Sequence, residues 1–295
     1  MKEEFSKFQS WILASRPKTL LASVVPVMVG TALAINTGKF SPLVTLVALI
    51  CSLLIQIGTN FTNDLYDFHK GADTAERKGP VRVLFSGLIS VKEMKTGIVI
   101  TFLTAFIFGL YLVYTGGIII LVIGVLSILA GIAYTAGPYP LAYKGLGDIF
   151  VFMFFGLIGT MGTFYLHTNE VSMPAFLSSI PVGSLITNIL VVNNFRDIEE
   201  DRAAGKNTLA VKLGKTFTQY QFIFLIVVSF IVPLLLFLFY GFKFWIFLPY
   251  LTLPVVYKTI VMLFTLSGAQ LNKTLELTAK LSALYGILFS AGLML

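Results

Sequence analysis

Charged residues are scarce in this 295-residue chain: they make up 12% of it, about half of the roughly 25% usual in soluble domains. Hydrophobic residues account for 57%. Such a composition excludes an ordinary water-soluble protein and makes lipid the main solvent. The single cysteine, Cys51, excludes an intramolecular disulfide, and its place in an apolar run indicates a packed side chain rather than a reactive thiol.

Apolar segments long enough to cross a bilayer follow one another along the chain. We predict an all-α, polytopic membrane protein with nine transmembrane helices around a central cavity under a cytoplasmic cap, forming one domain over residues 1–295. No cleavable signal peptide is predicted, because the first apolar stretch is itself long enough to span. The predicted spans are 19–36, 42–66, 96–114, 117–135, 147–167, 174–195, 219–240, 244–264 and 276–295.

The distribution of lysine and arginine predicts the orientation. They concentrate in the N-terminal segment and in the loops after spans two, four, six and eight, whereas the opposite loops hold only Lys39 and Lys243. By the positive-inside rule, the N-terminus and the long polar loops face the cytoplasm of a cell-membrane protein. The net charge of +7 therefore indicates an anionic lipid surface and an anionic substrate rather than nucleic acid.

Two clusters of asparagine and aspartate close predicted spans two and six. In each, an asparagine is followed four residues later by an aspartate, and three or four residues after that by another. These spacings put each set on one helical face. The members are Asn60, Asp64 and Asp67 in the first cluster and Asn193, Asp197 and Asp201 in the second.

Paired carboxylates without nearby cysteine or histidine suit a hard cation such as Mg²⁺, which keeps waters and bridges to substrate phosphates. We predict that the four clustered aspartates bind metal and that Asp73 adds a further ligand. Asn60, Asn63 and Asn193 are predicted to bind substrate. The alternative is a pair of solvated helix ends, but ionisable and amide groups at membrane depth are costly and indicate function when two sets match.

Basic and aromatic residues surround these clusters. Arg82, Lys144 and Lys206 are predicted to bind a diphosphate leaving group, whereas Lys212 and Lys215 are assigned to membrane orientation. An allylic carbocation left by that group needs a dry site with aromatic faces. For this role Tyr134 is the first candidate, Tyr139 and Tyr143 are predicted to bind substrate, and Tyr66 is a further candidate; interfacial anchoring is the alternative for all of them.

At these motifs the sequence resembles the UbiA superfamily of intramembrane prenyltransferases, over nearly the whole chain from the Arg-Pro-Lys-Thr-Leu run at 16–20 onward. Asn63, Asp64 and Asp67 match the first family motif, but Gly71 stands where its third aspartate would be, and Asp73 follows two residues later. That displacement, the Gly-Pro-Val-Arg-Val stretch at 79–83 and the Gly-Lys-Asn-Thr-Leu-Ala-Val-Lys-Leu-Gly run at 205–214 are similar to the branch that prenylates 1,4-dihydroxy-2-naphthoate.

The resemblance implies two magnesium ions bridging a polyprenyl diphosphate to Asp64, Asp67, Asp197 and Asp201, with Arg82 and Lys144 at positions that contact diphosphate. The prenyl cation would attack the aromatic acceptor, and loss of carbon dioxide would give demethylmenaquinone. It also implies a cavity open sideways to lipid for the prenyl tail. Other acceptors remain open: 4-hydroxybenzoate, haem, a chlorophyll precursor and geranylgeranylglyceryl phosphate. A secondary transporter is the alternative from another class, although transporter sites usually lie nearer the bilayer midplane.

Overall fold

The computed structural model describes residues 5–71 and 82–295, and all the regular structure within them is helical. A π-helical segment, Phe152–Met161, joins α5 to α6, and 3₁₀ segments Phe244–Thr252 and Gly268–Gln270 lead into α10 and α11. A further 3₁₀ turn covers Leu141–Lys144. The α-helices are α1 (Lys7–Ser15), α2 (Pro17–Asn36), α3 (Pro42–His69), α4 (Val91–Ala133), α5 (Gly147–Val151), α6 (Gly162–Thr168), α7 (Met173–Arg196), α8 (Ile198–Ala203), α9 (Leu209–Tyr240), α10 (Leu253–Thr265) and α11 (Leu271–Met294).

Side-chain caps explain where several of these helices begin. The hydroxyls of Ser41, Ser90, Ser172 and Thr208 each accept a hydrogen bond from a backbone N–H in the first turn of the helix that follows. Such caps satisfy donors that have no partner inside the helix. Pro42 and Pro174 add a fixed backbone angle at the first positions of α3 and α7.

Within the described residues, eight helical segments are long and apolar enough to cross a membrane, one fewer than the nine predicted. They are Pro17–Asn36, Pro42–His69, Val91–Ala133, Gly147–Thr168, Met173–Arg196, Leu209–Tyr240, Phe244–Thr265 and Gly268–Met294. The difference arises in α4, because its 43 residues contain both predicted spans 96–114 and 117–135.

Helix α4 folds back on itself at Gly117. The backbone there has φ 71° and ψ −161°, a conformation open almost only to glycine. A Cβ built on Gly131 would lie 3.8 Å from Cζ of Phe102, whereas a straight helix would separate these residues by more than about 40 Å. The two arms of α4 therefore lie side by side against α3.

The interior of the bundle is formed mainly by α2, α7, α9 and α11. Phe222, Leu281, Tyr285 and Phe289 are fully buried in this core. Cys51 is buried in a second apolar cluster between α3 and α4, as the sequence indicates. Large apolar side chains cover much of the outer surface, for example Tyr114 at 88% exposure, as expected of helices solvated by lipid. A single domain over 1–295 stays a prediction.

Candidate active site

A cavity of about 460 Å³ runs through the middle of the helix bundle. We call the end of the bundle at which α3 and α7 finish the polar end. There the cavity wall is formed by side chains that can bind cations, anions or hydrogen-bonding groups. They include Arg16, Asn60, Asn63, Asp67, Arg82, Asp148, Asn193, Asp197, Glu200, Asp201 and Lys206.

The rest of the cavity wall is mostly apolar, with Ser52, Gln56, Ser127 and Thr163 as polar exceptions. Its wall reaches Leu112, Val113, Ile120 and Leu121, on either side of the fold at Gly117. Aromatic and aliphatic side chains of the π-helical segment, including Phe154, complete it. The cavity thus connects a polar, ionisable end with an apolar interior, an arrangement that suits a molecule with one charged and one hydrocarbon part.

Asp67 contacts three polar side chains in the described part of the chain. Arg82 donates a hydrogen bond of 2.9 Å to its Oδ2, and the hydroxyl of Tyr143 donates one of 2.9 Å to its Oδ1. The ammonium nitrogen of Lys206 lies 3.1 Å from the same Oδ1. Asp64 lies one helical turn earlier, with Oδ1 3.5 Å from Arg82. Both aspartates are 3% exposed, so their charges are compensated by cations rather than by bulk water.

Asp197 of the second cluster is held by its neighbour in sequence. The guanidinium of Arg196 donates through Nε to Oδ1 and through a terminal nitrogen to Oδ2, each at 2.6 Å. It also donates to Oδ1 of Asn272 at 2.6 Å and to Oδ1 of Asn193 at 2.9 Å. The Arg196 side chain is completely buried. This network fixes Asp197 at the end of α7 and ties α7 to the start of α11.

The two clusters meet at the polar end. The backbone N–H of Lys206 donates to the carbonyl of Asp201 at 2.8 Å, while its ammonium reaches Asp67. Lys206 therefore connects the carboxylate of Asp67 with the backbone carbonyl of Asp201. The next residue, Asn207, donates its backbone N–H to the carbonyl of Tyr143 at 3.0 Å, which joins this loop to the Leu141–Lys144 turn.

Two lysine ammonium groups approach the ring of Tyr143. The ammonium of Lys70 is 4.0 Å from the centre of its ring and that of Lys206 is 4.9 Å away. Lys70 also donates to the carbonyl of Thr135 at 2.8 Å. Burial lowers the pKa of Lys70; Asp67 opposes this change and Lys206 adds to it. These cation–π contacts concentrate positive charge beside Asp67.

The predicted companion asparagines have different partners. The side-chain amide of Asn60 donates to the carbonyl of Ser15 at 2.9 Å and to Thr19 Oγ1 at 3.2 Å. It thereby braces the turn that carries Arg16, whose backbone is left-handed with φ 53°. Asn63 accepts a 2.8 Å hydrogen bond from Thr135 Oγ1. Asn60 and Asn63 both line the cavity, so they are available to a ligand as well.

Of the remaining predicted residues, Tyr134 lines the cavity but Lys144 and Tyr139 do not. Lys144 is exposed, with its ammonium 5.3 Å from the ring centre of the exposed Tyr139. With the ordinary pKa of a phenol, about 10, Tyr134 is neutral at physiological pH. Asp73 lies outside the described residues.

Three basic residues reach the site although the sequence assigned them no role there. Arg16 lines the cavity, Arg196 holds Asp197 and Lys70 approaches Tyr143. Arg16 begins the Arg-Pro-Lys-Thr-Leu run and Arg196 directly precedes Asp197, so the sequence could have predicted that both arginines reach the site. Lys70 carried no signal, because its contact depends on how the Leu141–Lys144 turn folds against α3.

The donor set suits a hard cation shared with a ligand rather than enclosed by protein. In residues 5–71 and 82–295, no three acidic, histidine or cysteine side chains converge on one point. Each cluster instead offers two aspartates, and one or two carboxylates are usually enough to hold Mg²⁺ when substrate phosphates and water complete its coordination. Asp67 and Asp201 line the same cavity, as this arrangement requires.

Comparison with known proteins gives one consistent answer. The UbiA prenyltransferase family model matches residues 23–283. The chain is 36% identical to a 1,4-dihydroxy-2-naphthoate octaprenyltransferase of Haemophilus influenzae, over 98% of this chain and 97% of the relative. It is 37% identical to the enzyme of the same name from Escherichia coli, over 100% of this chain and 98% of that protein.

Two solved structures have the same fold. A UbiA homologue from Archaeoglobus fulgidus, bound to GPP and Mg²⁺, superposes with a TM-score of 0.67 at 17% identity, covering 97% of this chain and 100% of that one. The apo structure of a homologue from Aeropyrum pernix gives 0.73 at 14% identity, covering 94% and 97%.

Proposed function

Because the chain belongs to the UbiA prenyltransferase family, we propose that it transfers a polyprenyl group from polyprenyl diphosphate to 1,4-dihydroxy-2-naphthoate. The acceptor loses its carboxylate as carbon dioxide, and the product is demethylmenaquinone. Relatives with this acceptor in their names match along the full length of the chain. The observation that carries the proposal is the meeting of two aspartate clusters and several cations at one end of an apolar cavity.

The diphosphate would lie between the clusters. Asp64, Asp67, Asp197 and Asp201 would hold Mg²⁺, which would supply Lewis-acid stabilisation of the leaving group. Arg82 and Lys206, now paired with Asp67, can turn toward phosphate oxygens without leaving the site. Their positive charge stabilises the negative charge that develops as the carbon–oxygen bond breaks. Lys144 remains a predicted diphosphate contact that would need its exposed side chain to rotate.

The prenyl chain would occupy the apolar part of the cavity. Its wall at Leu112, Val113, Ile120 and Leu121 excludes water from an allylic cation that water would otherwise quench. The Tyr134 ring also lines the cavity, and its π face would stabilise positive charge on carbon.

We place the polar end on the cytoplasmic face of the cell membrane. This orientation follows from the lysine and arginine bias of the loops, and it presents the diphosphate site to the compartment in which anionic, water-soluble substrates and Mg²⁺ are supplied. A cysteine introduced at the exposed Lys144 should react with a membrane-impermeant maleimide only after spheroplasts are lysed. A cysteine at Lys39 should react in intact spheroplasts.

A reconstitution experiment tests the activity. Membranes containing the protein are given a polyprenyl diphosphate, Mg²⁺ and one acceptor at a time. We expect transfer to dihydroxynaphthoate, none to 4-hydroxybenzoate, and loss of activity in excess chelator that added Mg²⁺ restores. Transfer to 4-hydroxybenzoate alone would refute the acceptor, and full activity of Asp64→Ala or Asp197→Ala would refute the mechanism.

A further inference from the structure

Asp148 differs from the other aspartates that line the cavity. It is 5% exposed and is the second residue of the long helical segment Gly147–Thr168. Its carboxylate accepts hydrogen bonds from neutral donors: its own backbone N–H and the amide of Gln221, which donates to Oδ1 at 3.3 Å. Asp67 and Asp197, by contrast, are bound by arginine or lysine. A carboxylate held by a neutral donor keeps more of its proton affinity than one held by a cation.

The position of Asp148 relates it to the aromatic part of the site. A Cβ built on Gly147 would lie 3.1 Å from the hydroxyl oxygen of Tyr134, so this hydroxyl abuts the residue before Asp148. Tyr134 and Asp148 line the same cavity as Asp67 and Asp201, so an acceptor bound there can reach Asp148 and the aspartate clusters together.

The groups around Asp148 leave it free of a strong counter-charge in the described part of the chain. Gln221 on α9 is neutral, and Tyr134 at the end of α4 is a neutral phenol. Lys212, also on α9, is exposed and donates to the carbonyl of Lys144 at 2.7 Å. Leu190 faces Gly147 from α7.

We propose that Asp148 is the general base that takes the proton from a ring hydroxyl of the aromatic acceptor. The inference rests on the proposed prenyl transfer. As the ring carbon forms its bond to the prenyl carbon, the bond to diphosphate breaks and the diphosphate leaves with the electron pair. The hydroxyl proton passes to Asp148, and the oxygen's electrons flow into the ring. Asp148 thus activates the nucleophile, while the clusters activate the electrophile.

Measuring prenyl transfer and acceptor-free diphosphate release distinguishes the role of Asp148 from that of the aspartate clusters. Prenyl transfer needs both the clusters and the base, whereas slow release of diphosphate without acceptor needs the clusters alone. For Asp148→Asn we expect transfer to fall by about 10²-fold or more, the usual contribution of a general base, with acceptor-free diphosphate release within about twofold of wild type. Transfer by the variant should rise steeply with pH, because hydroxide replaces the missing base. Glu170→Gln removes an exposed carboxylate elsewhere and should match wild type in both activities.

Parallel loss of both activities in a folded Asp148→Asn protein, unchanged transfer, or transfer that does not rise with pH would overturn the proposal. Should the amide variant fail to fold, Asp148→Glu decides: a displaced carboxylate should lower transfer selectively, and an equal loss of both activities would refute the role. Wild type that releases diphosphate but prenylates no acceptor would refute the proposed function itself, which is a different outcome.

Discussion

The ammonium of Lys206 lies 3.1 Å from Oδ1 of Asp67, although 139 positions of sequence separate them and they belong to different aspartate clusters. Lys206 is also hydrogen-bonded through its backbone to Asp201. Because Lys206 contacts both aspartate clusters, the two clusters form a single site.

Replacing Lys206 by methionine tests this bridge. The side chain is mostly buried, so losing its charge should cost about 1.5–3 kcal/mol of interaction with the diphosphate, roughly a ten- to hundredfold loss in kcat/KM for the prenyl substrate. Steady-state kinetics with varied prenyl diphosphate measure it. The matched control is Lys212→Met six residues later, which removes an exposed lysine and should change kcat/KM by less than about twofold.

Arg196 should matter for stability as well as for activity. Arg196→Met leaves Asp197 buried without its bidentate partner, which should destabilise the fold by about 3–5 kcal/mol. Thermal unfolding in detergent measures the change. Arg202→Gln is the control, because the Arg202–Glu199 pair is exposed and should contribute less than about 1 kcal/mol. Equal effects of the two substitutions would contradict the network at Asp197.

Asn60 should act mainly on the Arg16 turn. Asn60→Leu removes two hydrogen bonds that hold Ser15 and Thr19, with an expected loss of about 1–3 kcal/mol in unfolding free energy. The Mg²⁺ concentration for half-maximal activity should move by less than about threefold, whereas Asp197→Asn should raise it by more than tenfold. A Mg²⁺ dependence that shifts as strongly in Asn60→Leu would instead make Asn60 part of the metal site.

Protonation of Lys70 should make both the stability of the protein and its KM for prenyl diphosphate depend on pH. Burial lowers its pKa, so this lysine loses its proton below pH 10.5 in the folded protein. Because the unfolded chain then binds the extra proton, Lys70 makes stability rise with pH between its lowered pKa and 10.5. Substrate binding should change in the opposite direction. KM for prenyl diphosphate should increase over the same pH range, because Lys70 loses its positive charge. Lys70→Arg, which stays charged, should flatten that increase, and an unchanged KM profile would exclude Lys70 from diphosphate binding.

The conformation of Gly117 should be required for α4 to fold back. Gly117→Ala forces a side chain into φ 71° and ψ −161°, at an expected cost of about 1–3 kcal/mol. Gly124→Ala in the same helix has open space around its Cβ position and an ordinary helical backbone, so it should be neutral within about 1 kcal/mol. Thermal unfolding of the two variants in the same lipid gives the comparison.

Local sequence patterns were sufficient for the helical fold class and for the first asparagine–aspartate cluster, because spacing along α3 determines which residues share a face. The single helix predicted for the second cluster is interrupted at Asp197: α7 ends at Arg196 and Asp201 belongs to α8. Local patterns were insufficient for Lys70 and for the outward direction of Lys144, since these depend on how the Leu141–Lys144 turn packs. The predicted break between spans three and four was placed correctly beside Gly117, where the backbone leaves the helical conformation. The two arms are assigned to one helix, α4, so the described residues contain eight long segments rather than nine.

The tight reversal at Gly117 also constrains how the protein enters a membrane. Between Lys95 and Lys144 the sequence holds no charged residue, so nothing in the turn would anchor it in water on the far side. We expect the two arms to leave the translocon together as one preformed hairpin, with the lysines at both ends remaining on the side of synthesis. A charged residue placed at the turn would then act during biogenesis, by retarding insertion, before it could affect catalysis.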